Sequence, residues 1–255
     1  MDKFQEKETL LLSLYKVFDT FVERNFQMAC TNGCASCCTQ NVTLTTLEAQ
    51  LVLESLKQSG RPHALARLET SSPTLFRPRY TINDLALACF NRQEPPEEEL
   101  GPDSGVCPLL ENDLCLAYEV RPFACRSFLS LEKCQPGGQA NIPATLVSVI
   151  TACQQIIEHL DEGGLFGNLT DLLVLLSESD NVRSFARSEI TPDSGLARTK
   201  PLPGFLIHPD DMAAVKPFLD RLFTGNVNGE PFHVRMNSLR RPAPPNGSLS
   251  EQDTR

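Results

Sequence analysis

The sequence predicts a mainly α-helical fold with long irregular loops and at most one small hairpin. Apolar residues recur at the helical period on both sides of a central region that is rich in cysteine, proline and glycine. Eight of the ten cysteines fall into two short segments of that central region. We therefore expect helices from both ends of the chain to pack around loops that carry the cysteines.

The composition is that of a globular protein and excludes several functional classes. Of the 255 residues 41% are apolar, which is enough for a full hydrophobic core. The net charge of −9 argues against a nucleic-acid-binding protein, because no basic stripe is available to neutralise phosphates. The N-terminus does not resemble a signal peptide, and no segment has the roughly 18 uninterrupted apolar residues of a membrane span. We expect a cytoplasmic protein with reduced cysteines.

Periodicity and capping signals predict six helices. Residues 8–26 place Leu11, Tyr15, Phe18 and Val22 on one apolar stripe. Thr45 and Glu48 form a capping-box pattern at the start of a helix that should reach about Lys57. Further helices are predicted at about residues 82–92, 143–161 and 170–177, and from Asp210 or Asp211 onward, where Pro217 should kink or divide the helix.

The order of these segments indicates one domain. Residues 1–238 should form it, with a cysteine core at 28–136 and a helical C-terminal part at 140–235. Residues 71–81 are predicted to be a loop, and residues 94–105 an acidic connector. The Pro- and Ser-rich tail from 239 to 255 should be disordered.

The first cysteine segment, CTNGCASCCTQ, suggests a metal or iron–sulfur site. It places Cys30, Cys34, Cys37 and Cys38 within nine residues, and Gly33 gives the backbone freedom for a left-handed bend. The two-residue spacing between Cys34 and Cys37 allows both sulfurs to bind one metal or cluster. Because adjacent side chains diverge, Cys38 is either a further ligand or a small buried hydrophobic residue.

The second segment, CPLLENDLCLAYEVRPFACRSFLSLEKC, carries Cys107, Cys115, Cys125 and Cys134. Asn112-Asp113 between the first two predicts a tight hairpin. Two distant cysteine groups in one reduced protein are most simply explained by a shared pocket. We therefore expect all eight cysteines to be metal ligands.

Together these motifs resemble the YkgJ-type cysteine-cluster family, whose domain is described as zinc- or iron-chelating. The resemblance rests on CTNGCASCC, on the strand-to-helix element VTLTTLEA (42–49), and on CPLLENDLCLAYEVRPFACRSF (107–128), and it covers about residues 28–136. It implies metal binding. Some members are called Fe–S oxidoreductases, which leaves open whether this chain is such an enzyme. A distant relative is a flagellin lysine N-methylase, so a cluster-dependent methyltransferase is a further alternative.

The donor set favours an iron–sulfur cluster, most simply of the 4Fe–4S type, with a redox role and an unidentified redox partner. Such clusters use cysteine thiolates almost exclusively, and His63, His159, His208 and His233 show no ligand spacing. The alternative is zinc, in one or two sites, which would make the chain a zinc-stabilised interaction module without catalysis.

Four residues outside the eight ligands also receive predictions. Arg121 and Arg126 lie close in sequence to Cys125 and are candidates for offsetting the negative charge of a thiolate site. The alternative is that they are structural arginines, paired with Glu119 or with a backbone carbonyl. Cys89 and Cys153 continue apolar helical stripes and should pack in the core.

Overall fold

The computed structural model describes residues 3–61, 63–68, 76–94, 97–98, 105–135, 139–187, 189–191 and 195–239. The predicted disordered tail lies outside the described residues from position 240 onward. Residues 71–75 of the predicted loop at 71–81 and most of the acidic connector at 94–105 also lie outside them.

Helices make up most of the regular structure, as predicted. The α-helices in the described residues are α1 (Lys3–Asn25), α2 (Thr46–Gln58), α3 (His63–Leu68), α4 (Ile82–Phe90), α5 (Phe123–Ser127), α6 (Ala144–Leu160), α7 (Leu169–Ser177), α8 (Ser179–Ala186), α9 (Met212–Thr224) and α10 (Phe232–Ser238). Short 3-10 helices cover Tyr118–Val120 and Pro209–Asp211. None of the helices in these ranges combines the length and apolarity that crossing a bilayer requires.

Short strands are more numerous than the single hairpin expected from sequence. They are β1 (Thr43–Thr45), β2 (Leu110–Glu111), β3 (Leu114–Cys115), β4 (Leu165–Asn168), β5 (Ala197–Arg198), β6 (Asn226–Val227) and β7 (Glu230–Pro231). They form an antiparallel sheet in the order β1-β4-β5 and the two hairpins β2-β3 and β6-β7. The extra strands are two to four residues long, too short for a periodic sequence signal.

The predicted helix positions are confirmed with small shifts at their ends. The apolar stripe of α1 is buried as expected, but the helix begins at Lys3 rather than residue 8. The helix predicted at 82–92 ends at Phe90, and Arg92 adopts a left-handed conformation with φ 54°. Helix α9 continues through Pro217 without being divided. The short helices α3, α5, α8 and α10 were not predicted.

Two apolar clusters form the core. In the first, α1, α6 and α9 pack together with residues such as Phe18, Cys153 and Phe218. In the second, α2, α3 and α7 pack together with the start of the second cysteine segment. Helices from before and after the cysteine segments therefore share one core, as the amphipathic stripes predicted.

The three-stranded sheet joins the segment before α2 to the turn after α6. Thr43 pairs with Asn168 and Thr45 with Phe166. Gly163 ends the preceding turn with φ +85°, whereas Gly167 lies inside β4, where an added Cβ would come within 2.3 Å of the Leu196 side chain. The strand forms here because Leu165–Asn168 pairs with β1 on one side and with β5 on the other.

Buried carboxylates lie at the N-termini of three helices. Glu48 accepts hydrogen bonds from the backbone N–H of Phe123 (2.7 Å) at the start of α5, from the Thr45 N–H (2.9 Å) and from the Tyr15 hydroxyl (2.7 Å). It also completes the predicted capping box of α2. Because a helix N-terminus carries free N–H groups and a positive dipole end, a buried carboxylate is stabilised there.

Glu158 accepts hydrogen bonds in the same way at the N-terminus of α4, and Asp161 does so at the N-terminus of α2. Glu158 accepts from the backbone N–H of Asn83 (2.9 Å), in the first turn of α4, and from that of Lys200 (2.8 Å). Asp161 accepts from the hydroxyl of Thr46 (2.6 Å), in the first turn of α2, while its Oδ1 has no hydrogen-bond partner among the described residues. Burial raises the pKa of both carboxyls to about 7.

Replacing Glu48 by alanine should lower the free energy of unfolding by about 3–4 kcal/mol, because Tyr15, Phe123 and Thr45 would lose their acceptor while remaining buried. Urea denaturation provides the measurement. Glu54→Ala on the same helix is the matched control and should change the stability by less than about 1 kcal/mol, since Glu54 accepts only from Gln50 within the helix. Equal effects of the two substitutions would contradict the role assigned to Glu48.

Asp161→Asn should flatten the pH dependence of stability between about pH 4 and pH 7. The folded protein keeps the Asp161 proton up to about pH 7, whereas the unfolded chain releases it near the ordinary value of 3.8. The folded state therefore binds more protons in this window, and stability falls as pH rises. Removing the group should reduce that slope by up to about 1.4 kcal/mol per pH unit.

The measurement is urea denaturation at several pH values. Asp180→Asn, on the exposed surface of α8, should leave the slope unchanged. An unchanged slope in Asp161→Asn would show that Asp161 is already ionised in the folded protein.

Candidate metal centre

The first cysteine segment folds as two successive tight turns between α1 and β1. The Cys34 N–H donates to the Thr31 carbonyl and the Cys38 N–H donates to the Ala35 carbonyl, each at 3.0 Å. Gly33 lies between them with φ +88°, which is the left-handed conformation expected from the sequence. The turns bring four thiols into a loop of nine residues, and all four are reduced.

The second segment begins with the predicted hairpin. Asn112 (φ 50°) and Asp113 (φ 62°) both adopt left-handed conformations, as a type I′ turn between β2 and β3 requires. The backbone amides of Leu109 and Leu110 donate hydrogen bonds to the sulfur of Cys107. The amide of Ala117 donates in the same way to Cys115. These N–H groups stabilise a thiolate, so the turns after both cysteines suit sulfur ligands.

Backbone hydrogen bonds join the two segments at both ends of the first loop. At one end Cys107 donates to the Cys38 carbonyl (3.0 Å), and Thr39 and Val106 form an antiparallel bridge. At the other end the Ala29 N–H donates to the Ser130 carbonyl (2.8 Å). The first loop is thereby fixed against two parts of the second segment.

Five cysteines form one group of interacting thiols. The pKa of Cys125 is raised first by burial and then by the neighbouring thiols of Cys107, Cys115 and Cys37. The pKa of Cys107 is raised to about 11, mainly by burial, with Cys115 contributing. Cys38 interacts with Cys37, Cys107 and Cys125. Thiols from the two sequence segments therefore lie close enough to affect one another's pKa.

The remaining three predicted ligands form a second, neighbouring group. Burial raises the pKa of Cys30, the backbone N–H of Ser130 lowers it, and Cys34, Cys134 and Cys37 raise it further. Cys37 interacts with thiols of both groups, since it also affects Cys125. All eight predicted ligands thus interact with at least one other thiol of the site.

The donor set fits a thiophilic metal or an iron–sulfur cluster, although the thiols do not converge on one point. Among the described residues, no three His, Cys, Asp or Glu side chains are placed so that they could hold one metal ion. Cys37 and Cys38 instead hydrogen-bond each other, which lowers the pKa of Cys37 and raises that of Cys38. Binding of a metal would require these side chains to reorient on the fixed backbone turns.

Arg121 and Arg126 have different surroundings. The Arg121 guanidinium lies 4.1 Å from the centre of the Tyr118 ring, donates to the Tyr118 carbonyl and lowers the pKa of Cys115. Arg126 is buried, forms an ion pair with Asp19 on α1 and donates to the Glu119 carbonyl. Arg126 therefore makes the ion pair and the carbonyl contact expected of a structural arginine. Arg121, in contrast, is close enough to Cys115 to lower the pKa of its thiol.

Sequence reasoning missed two residues near the thiols. Arg67 on α3 donates to the Leu110 carbonyl (2.8 Å) and lowers the pKa of Cys107. Glu48 holds the first amide of α5, the helix that carries Cys125, and contributes to the raised pKa of that thiol. Arg67 has no sequence signal because α3 was not predicted. Glu48 was recognised only as part of a capping box.

The other cysteines and the histidines lie outside the thiol groups. Cys153 is fully buried in the core, as predicted. The prediction for Cys89 is wrong, because Cys89 is exposed near the C-terminal end of α4, where Leu87 and Phe90 also face outward. The histidines contact non-cysteine groups, namely Glu111 for His63, the Leu202 N–H for His159, the Asp210 N–H for His208 and the Phe223 carbonyl for His233.

Residues 29–142 match the family model named CxxCxxCC, described as "Putative zinc- or iron-chelating domain". The match is to the cysteine-cluster family that the sequence motifs indicated. The matched segment contains all eight interacting thiols. No curated protein and no solved structure matches the chain significantly.

In the metal-free protein at pH 7, Cys37 should react with iodoacetamide faster than any other cysteine. It is exposed, and the hydrogen bond from the Cys38 thiol lowers its pKa to about 6. Cys38→Ala removes that donor and should slow alkylation of Cys37 about tenfold. Mass spectrometry of peptides sampled over time measures the rates. Cys153→Ala is the control and should leave them unchanged; equal rates in Cys38→Ala would refute the proposed pairing.

Proposed function

We propose that the protein is an iron–sulfur protein whose cluster is held by cysteines of both segments and exchanges electrons with a partner protein. The observation that carries the proposal is the group of five interacting thiols, which combines Cys37 and Cys38 with Cys107, Cys115 and Cys125. A match to a zinc- or iron-chelating family supports metal binding by this segment.

The cysteines would serve as two sets of ligands. Cys37, Cys107, Cys115 and Cys125 would hold one cluster, since the first three all raise the pKa of Cys125. Cys30, Cys34 and Cys134 would form the second set, and Cys38, which interacts with the first group, would be the eighth ligand. A bound cluster would supply reversible one-electron transfer at its irons.

Residues around the thiols would stabilise the charged form of the ligands. The amides of Leu109, Leu110 and Ala117 donate to sulfur and would continue to do so with a bound cluster. Arg67 and Arg121 each lower the pKa of one thiol, which favours the thiolate that a metal requires. Arg126 would act indirectly, by fixing α5 to α1 through Asp19.

Zinc is the second candidate, and one observation favours it. The amides that follow Cys107 and Cys115 donate to sulfur within tight turns, and zinc sites with four cysteines accept such turns equally well. Two zinc ions would also use eight thiols. In that case the segment would be a zinc-stabilised module, with metal binding contributing directly to folding.

Protein made with sufficient iron and purified without oxygen should be brown, contain iron and acid-labile sulfide, and lose its colour in air. Metal and sulfide analysis with a visible spectrum provides the test. Cys125→Ser and Cys34→Ser should each lose metal, whereas Cys153→Ser, in the core, should keep the full content. A colourless protein with about two zinc ions per chain and no iron or sulfide would overturn the iron–sulfur proposal in favour of zinc.

A further inference from the structure

A cavity of about 210 Å³ lies next to β1 and the start of α5. It is bounded by β1, α4, α5 and α6 and by the segment from Phe76 to Thr81. Ala124, next to Cys125, is part of its wall, but none of the lining residues is a cysteine. The cavity is therefore a site separate from the thiol groups.

The charges around the cavity have one sign. Glu48, Glu98 and Glu158 line it, and no lysine, arginine or histidine is among the described lining residues. Glu158 is held by the backbone N–H groups described above, and Glu98 accepts from the N–H of Tyr80 at 3.2 Å. The carboxylates are thus fixed in position, and their combined charge disfavours an anionic ligand.

The rest of the lining is mainly apolar and includes aromatic rings from three separate segments, Phe76 and Tyr80 from the first, Phe123 from α5 and Phe166 from β4. Aromatic rings attract cations through the negative potential of their faces. Two further lining residues, Thr43 and Gln154, have polar side chains that make no hydrogen bond within the part of the chain that the structure describes. They are available to a polar group of a ligand.

We propose that this cavity binds a small organic cation, namely an amine with a compact aromatic or aliphatic body. The apolar walls would take up the body, and the carboxylates together with the aromatic faces would stabilise the ammonium group. The volume is below that of pockets for drug-sized molecules, so the ligand is about the size of benzylamine. The proposal is independent of which metal the cysteines bind.

Binding of three isosteric probes to the full-length protein tests the charge preference. Benzylammonium should bind about tenfold more tightly than neutral benzyl alcohol, and benzoate should not bind. Ligand-observed NMR titration gives the affinities. Equal binding of the ammonium and the alcohol would overturn the assignment of a cation, and a lack of benzylammonium binding would overturn the site.

Two substitutions on α4 locate the binding site. Leu85→Phe adds volume to a lining residue and should weaken benzylammonium binding at least tenfold. Leu87→Phe is the matched control, since Leu87 is exposed and does not line the cavity, and it should bind like the unmodified protein. Thermal melting confirms that both variants fold. Undiminished binding in a folded Leu85→Phe variant would place the ligand elsewhere and contradict the proposal.

The charge can be tested at one residue as well. At pH 8, above the pKa of about 7 that burial gives Glu158, Glu158→Gln should reduce the affinity for benzylammonium about tenfold and leave that for benzyl alcohol unchanged, because only the cation interacts with the lost charge. A parallel loss for both probes would leave the ratio of the two affinities unchanged. That result would contradict the role of the Glu158 charge in the preference for a cation.

Discussion

The carboxylate of Glu48 connects the elements on which the cysteine region depends. Its oxygens accept from α1 through Tyr15, from the N-cap of α2 and from the first amide of α5, the helix that carries Cys125. A buried charge is tolerated only when it is well hydrogen-bonded, and here each donor comes from a different element. The geometry of one carboxylate therefore fixes α5 against the helical core.

The same device recurs at α4 and α2, where Glu158 and Asp161 accept from first-turn donors. Both acids come from the C-terminal half of α6 and the residue after it, so this helix end organises two helix N-termini. The carboxylates of Glu48 and Glu158 also give the neighbouring cavity its negative lining. The carboxylates that hold the helix N-termini therefore also make the cavity lining acidic.

The cysteine region has a different construction, because backbone hydrogen bonds join its two segments in addition to the apolar packing of the second segment. Bonds at Cys38–Cys107 and at Ala29–Ser130 fix the first loop at both ends. Amides after Cys107 and Cys115 are directed at sulfur. Buried backbone N–H groups in such loops need hydrogen-bond acceptors. Here the sulfurs of Cys107 and Cys115 are some of these acceptors. The loops are thereby prepared for ligands that carry negative charge.

The sequence by itself determined the helical class, the main helices, the hairpin at Asn112-Asp113 and the family of residues 29–142, because these depend on local periodicity, turn chemistry and spacing. Tertiary structure alone decided the grouping of the thiols, the position of Arg67, the strand at Leu165–Asn168 and the exposure of Cys89. It also decided that Arg126 pairs with Asp19 and that Glu48 links three elements. Each of these features joins residues that are distant in sequence, and no local pattern records which distant partner a side chain will meet.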